Sequence, residues 1–322
     1  MLNVFVPRPN GLVCAERESG AALPADAVWI DLREPTPEEE QFVESALGID
    51  VPTREEMREI EASNRFYEEN GALYMTATLV TKLDTNLPER TQVTFILTGA
   101  KLVTNRYTDP LPFRRFIAYA AKHAVGTSGA MVLAGLHEAI INRIADVLEK
   151  VGGDVDAISS KIFFRSYDTS APLDFRHVLE HIGQSGDLVS KASESLVSLT
   201  RLLGFVQQSG NTQVTQDSRV RYRTLSRDVL AMTDHSNFLG NKVQFLLDAT
   251  LGMVSIDQNN VVKIFSVVAV FMLPPSLIAG FFGMNFERMP WLHQSWGLTA
   301  TVGVMLVSAV APYLYFKRRR WL

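Results

Sequence analysis

The chain holds one cysteine, Cys14, in 322 residues. No disulfide within the chain is possible, and the soluble part suits a reducing compartment. There is no G-x-x-x-x-G-K-[ST] loop, so an ATP-driven pump is not indicated. His137-Glu138 lacks the second histidine of a zinc-protease helix, and no nucleophile–base set supports an enzyme. Met1 to Glu16 is broken by Pro7, Pro9 and Gly11, which does not read as a signal peptide. A net charge of −4 gives no reason to expect nucleic acid. The most telling absence is local: from Ile264 to Asn285 no Asp, Glu, Lys, Arg or His occurs.

That run is long enough to cross a hydrocarbon core as a helix. A second uncharged run, Gly297 to Phe316, follows closely, so the chain ends in a hairpin of two spans. Lys263 precedes the first and Lys317-Arg318-Arg319-Arg320 follows the second. Both basic flanks lie on one side, which the positive-inside rule makes the cytoplasm. The large N-terminal part and both termini are then cytoplasmic, and the expected location is the cytoplasmic (inner) membrane, in contact with lipid. No acid lies within the spans to relay protons.

Upstream the chain reads as an α+β protein. Residues 1–125 predict an α/β domain. Val28 to Leu32 has strand character, and Pro35 to Glu40 carries helix-start signals in Thr36, Pro37 and three acids. The clustered Glu38, Glu39 and Glu40 read as a solvated face. Leu73–Val80, Thr91–Leu97 and Lys101–Thr104 predict a meander, with turns at Asn70-Gly71 and Gly99. Residues 126–212 predict a helical hairpin, one arm from Met131 to Phe164 and the other from about Asp174 to Val206. No proline occurs between Asn211 and Pro274. One helix is therefore expected from about Gln213 to Phe282, with a stalk at 213–260 and a membrane helix at 261–282. Residues 283–296 form the outer loop, 297–316 the second span and 317–322 a basic tail. A helix of roughly 100 Å needs more neighbours than one chain offers, which argues for a symmetric oligomer.

Lys263 to Val268, Leu273-Pro274-Pro275, Gly283-Met284-Asn285-Phe286-Glu287, Met289-Pro290 and Ala311 to Arg319 together resemble the CorA family of magnesium transporters. The close resemblance covers about the last 70 residues, and upstream only the layout agrees. It implies a funnel-shaped homopentamer that passes Mg²⁺, with Co²⁺ and Ni²⁺ as lesser substrates. Gly283, Met284 and Asn285 would form the outer selectivity mouth. The family usually has tyrosine where Phe282 stands, and a loop glutamate where Trp291 stands, which leaves Glu287 as the one loop acid. It also implies a regulatory Mg²⁺ site between subunits. By spacing from Asn285 the stalk acid of that site falls on Thr224, so Asp217 and Asp228 on the stalk, and Asp84 and Glu89 on the α/β domain, are its candidates here.

Two rows with a seven-residue spacing run along the first span: Asn259, Ser266, Leu273, Gly280, and Val262, Ala269, Ser276, Gly283. Small residues of this kind favour close helix packing. They also suit a neutral pore lining once several copies share an axis. Phe271, Ile278, Phe281 and Val268 fall on other faces. Leu273, just before Pro274-Pro275, is the candidate apolar constriction, and the prolines predict a kink. His177 and His181 stand at a spacing able to hold a transition metal, with no third ligand evident. A zinc transporter of the same superfamily and a membrane-tethered cytosolic sensor or scaffold are the competing expectations.

Overall fold

The computed structural model describes residues 1–15, 22–82, 88–164, 174–209, 216–284 and 294–319. They fall into two compact units, Met1–Leu247 and Asp248–Leu322.

The first unit is built on a seven-stranded sheet ordered β2-β1-β3-β7-β6-β5-β4. The strands are β1 (Leu2–Arg8), β2 (Gly11–Cys14), β3 (Trp29–Arg33), β4 (Phe66–Glu69), β5 (Ala72–Thr81), β6 (Glu89–Thr98) and β7 (Lys101–Arg106). All neighbours are antiparallel except β3 and β7, where Asp31 stands beside Thr104. The expected meander is β5-β6-β7. Gly99 (φ 54°) makes the turn from β6 to β7, while Asn70 (φ 50°) and Gly71 (φ 75°) turn β4 into β5, ahead of the meander.

Every residue of β5 is buried, as a strand covered on both faces must be. On one face Val4, Ile30, Leu32, Ile96 and Val103 pack with Val43 of α1 (Pro37–Leu47). Thr36 and Glu39 cap that helix reciprocally, and Glu39 also accepts the N-terminal ammonium at 2.6 Å and the Leu2 amide at 3.0 Å. Glu39 is thus a structural acceptor and not the solvated face expected for its cluster. A one-turn helix, α2 (Ala62–Arg65), leads into β4. On the other face Trp29 stacks on Phe5 at 4.4 Å and meets the edge of Phe116 from α3 (Leu111–Ala120).

Helices α4 (Gly129–Phe163) and α5 (Phe175–Gln208) follow, begun by the side-chain caps of Ser128 and Asp174. Ser195 and Ser198 tie α5 to β5 through the Thr78 carbonyl and amide, both at 2.9 Å. Then comes α6 (Gln216–Phe282), 67 residues long. In the first unit its covered stripe advances by alternating four and three residues: Ser218, Tyr222, Leu225, Val229, Met232, Ser236, Leu239, Val243 and Leu246. This is the pattern of a helix seated against other helices along one side. Phe245 stacks on Phe163 of α4, and Arg221 and Lys242 pair with Glu138 and Asp156 of the same helix.

The second unit contains the end of α6 and α7 (Gly297–Arg318). Both are long and apolar enough to cross a membrane. Helix α6 continues through Pro274 and Pro275 without interruption.

Candidate ion-conducting surface

The membrane part of α6 has two contrasting sides. Val267, Phe271, Pro274, Pro275, Ile278 and Phe282 are half-covered, while the residues between them are almost all exposed. On α7 the half-covered residues include Thr301, Met305, Ser308, Pro312 and Phe316, at a matching spacing. Phe271 meets Tyr313 with ring centroids 5.9 Å apart, which identifies α7 as the neighbour on that side. At about 100° per residue, the two sequence-predicted rows lie roughly 180° around the helix from that stripe. Asn259, Val262, Ser266, Ala269, Leu273, Ser276, Gly280 and Gly283 are all exposed in the single chain, Leu273 at 61%. The hairpin therefore covers one side of α6 and leaves the small-residue side open.

The open face is neutral, and its polarity has a definite sense. Ser266 donates its hydroxyl to the Val262 carbonyl at 2.8 Å, and Ser276 to the Met272 carbonyl at 2.6 Å. Each hydroxyl hydrogen is consumed within the helix, so the oxygens offer lone pairs. Prolines 274 and 275 lack the amide hydrogens that would reach the Val270 and Phe271 carbonyls one turn earlier, but these belong to the side that α7 covers and add nothing to the open face. The last helical bond runs from the Gly283 amide to the Ala279 carbonyl at 2.9 Å, and the exposed Met284 follows. Asn285, the third residue of the expected mouth, lies outside the described residues.

Of the four expected regulatory residues, the side chains of Glu89 and Asp228 alone are among those described. Asp84 and the Asp217 side chain lie outside what is described. Glu89 accepts from Lys82 at 2.7 Å, and Asp228 is exposed on α6. Among the described residues no three His, Cys, Asp or Glu side chains cluster to hold a metal ion.

A family profile described as "CorA-like Mg2+ transporter protein" matches residues 24–318. The chain belongs to the CorA family. Its CorA relatives include the Haemophilus influenzae (strain Rd) magnesium transport protein CorA, 31% identical over the full length of both chains. The Salmonella typhimurium (strain LT2) protein of the same name is 33% identical, again with both chains covered completely. Among solved structures, the complete CorA magnesium transporter of Methanocaldococcus jannaschii superposes with a TM-score of 0.78 at 18% identity, covering 100% of this chain and 99% of that one. The fold is thus the CorA fold from end to end, including β1, β2 and β4, which sequence reasoning did not find. Burial also escaped it at His137, whose fully buried ring has no hydrogen-bond partner on either nitrogen among the described residues. The surrounding apolar packing holds its pKa down to about 3. No spacing rule marks such a residue.

Proposed function

We propose that this chain is one subunit of a homo-oligomeric channel that passes Mg²⁺ across the cytoplasmic membrane, with Co²⁺ and Ni²⁺ as lesser substrates. The observation that carries the reading is the open face of α6, opposite the α7-covered stripe, which presents neutral acceptors and no charge. Two spans cannot enclose a pore, so copies of that face must meet around a common axis. Five copies is the number the family implies.

Neutral acceptors suit this ion. Mg²⁺ surrenders its waters reluctantly, and those waters carry outward-facing hydrogens. A lining of serine oxygens, with an Asn285 ring at the mouth, would receive these hydrogen bonds without stripping the ion. Carboxylates would bind harder and release more slowly, and conduction requires weak sites. A divalent ion gains about 4.6 kcal/mol for each 100 mV of inward-negative potential, enough to drive entry without ATP. Leu273 is placed to narrow the axis with apolar side chains. A regulatory Mg²⁺ site would draw on Glu89 or Asp84 of one copy and Asp217 or Asp228 of the next.

The test is ion entry into proteoliposomes, comparing Mg²⁺, Co²⁺ and Zn²⁺ in the native protein and in Asn285→Ala. Native protein should admit Mg²⁺ foremost, and the variant should assemble yet lose entry. Normal entry through assembled Asn285→Ala protein would overturn the reading, and Zn²⁺ entry exceeding Mg²⁺ would replace it with a zinc transporter.

A further inference from the structure

In the first unit a cavity of about 480 Å³ is lined by Arg54, Arg58, Arg90 and Lys191, with Glu89 its one carboxylate. Acids outnumber bases 35 to 31 in the whole chain, and here the ratio is reversed. The cations converge from three separate places: Arg54 and Arg58 lie beside and at the end of the short 3-10 turn Glu56–Arg58, Arg90 is the second residue of β6, and Lys191 lies on α5.

Two of them are tied down. Arg90 pairs with Glu194, and the Lys191 ammonium donates to Asp187 at 2.7 Å and to the Pro88 carbonyl at 2.8 Å. The lining carboxylate is spoken for as well, since Glu89 accepts from Lys82 at 2.7 Å. Arg54 and Arg58 have no carboxylate partner among the described residues. Instead the Arg54 guanidinium lies over the Tyr107 ring, 5.3 Å from its centroid. The cavity thus presents two uncompensated guanidinium groups next to two anchored cations.

Guanidinium forks match the oxygens of a phosphate two at a time, and several cations facing one space favour an anion of more than one charge. The remaining lining carries no charge, and Gln92 adds a neutral amide to it. Met57, Pro88 and the Tyr107 ring contribute carbon surface, and the Thr108 hydroxyl bonds to that of Thr91 at 3.1 Å. The volume falls in the usual range of small-molecule sites. We propose that this cavity binds a phosphate-bearing organic anion of nucleotide size, independently of the transport reading.

The full-length protein, stripped of divalent cations with EDTA, is titrated calorimetrically with ATP, inorganic phosphate and adenosine. ATP should bind, with inorganic phosphate weaker and adenosine at least about tenfold weaker. Arg54→Gln combined with Arg58→Gln should weaken ATP by at least about tenfold, with elution volume and circular dichroism unchanged. Lys242→Gln, which removes a cation paired outside the cavity, should leave the affinity as it was. Native protein that fails to bind millimolar ATP overturns the proposal, as does undiminished affinity in the folded double variant.

Discussion

Phe271 of α6 packs against Tyr313 of α7 with ring centroids 5.9 Å apart and planes at 48°. That contact decides which side of the first membrane helix is closed off by its own hairpin. In the proposed oligomer the opposite side, through Ala269 and Ser276, faces other copies. In a Cys14→Ser background, Ala269→Cys or Ser276→Cys should give disulfide-linked dimers on oxidation of membranes, and Phe271→Cys should not. Gel mobility reads the result. Equal cross-linking at all three positions would remove the basis for assigning the open face to the axis.

Leu273 is 61% exposed in the single chain and stands midway along the open face. If its side chains expel water from the axis, a hydroxyl there will keep the path wet. Leu273→Ser should raise resting Mg²⁺ entry into proteoliposomes several-fold. The same variant with Asn285→Ala should fall back to background.

The centre of the first unit is pinned by charge. Arg106 and Asp31 are 1% and 0% exposed and form a two-pronged pair, Nη2 to Oδ2 at 2.8 Å and Nε to Oδ1 at 2.9 Å. The Thr104 hydroxyl also donates to Asp31 at 2.8 Å. Arg106 also donates through Nη1 to Asp109 at 2.8 Å, so loss of the Asp31 charge leaves it one carboxylate and weakens the bonds of Nε and Nη2 away from water. Asp31→Asn should cost about 1 to 3 kcal/mol, read as a lower midpoint in thermal or urea unfolding.

His137 should make the protein acid-sensitive. Burial holds its pKa near 3, against 6.5 for the free side chain, so below pH 6.5 the unfolded chain takes up a proton that the folded chain refuses. The stability tied to this residue is complete above pH 6.5 and is lost as pH falls from 6.5 toward 3, by up to about 1.4 kcal/mol per unit. His137→Leu should flatten that slope. It should also raise the unfolding midpoint at neutral pH, because an unpartnered buried polar ring costs about 1 to 3 kcal/mol. Denaturation curves between pH 5 and 7.5 supply the check.

The helices were legible in the sequence because their signals are local. Apolar residues at helical spacing mark α4 and α5, and a long run without proline marks α6, whereas the Ser128 cap that starts α4 two residues before Met131 was not read. The meander was legible because its strands are rich in β-branched and aromatic residues and Gly99 marks the turn from β6 to β7, while Asn70-Gly71 proves to join β5 to the unread β4. Strands β1, β2 and β4 went unread, two of them being only four residues long, and the β3–β7 pairing joins segments some 70 residues apart. Of the candidate surface, the rows at seven-residue spacing were readable, since a helix places them on one side whatever surrounds it. The cation-lined cavity was not, because Arg58, Arg90 and Lys191 meet only once the sheet and α5 have formed.

The internally bonded serines bear on rejection as much as on acceptance. A chloride ion entering along Ser266 and Ser276 would meet oxygens with no hydrogen to offer. In a pore lined by this face, anions would be turned away by the direction of two hydroxyl bonds, with no negative charge needed on the wall to repel them.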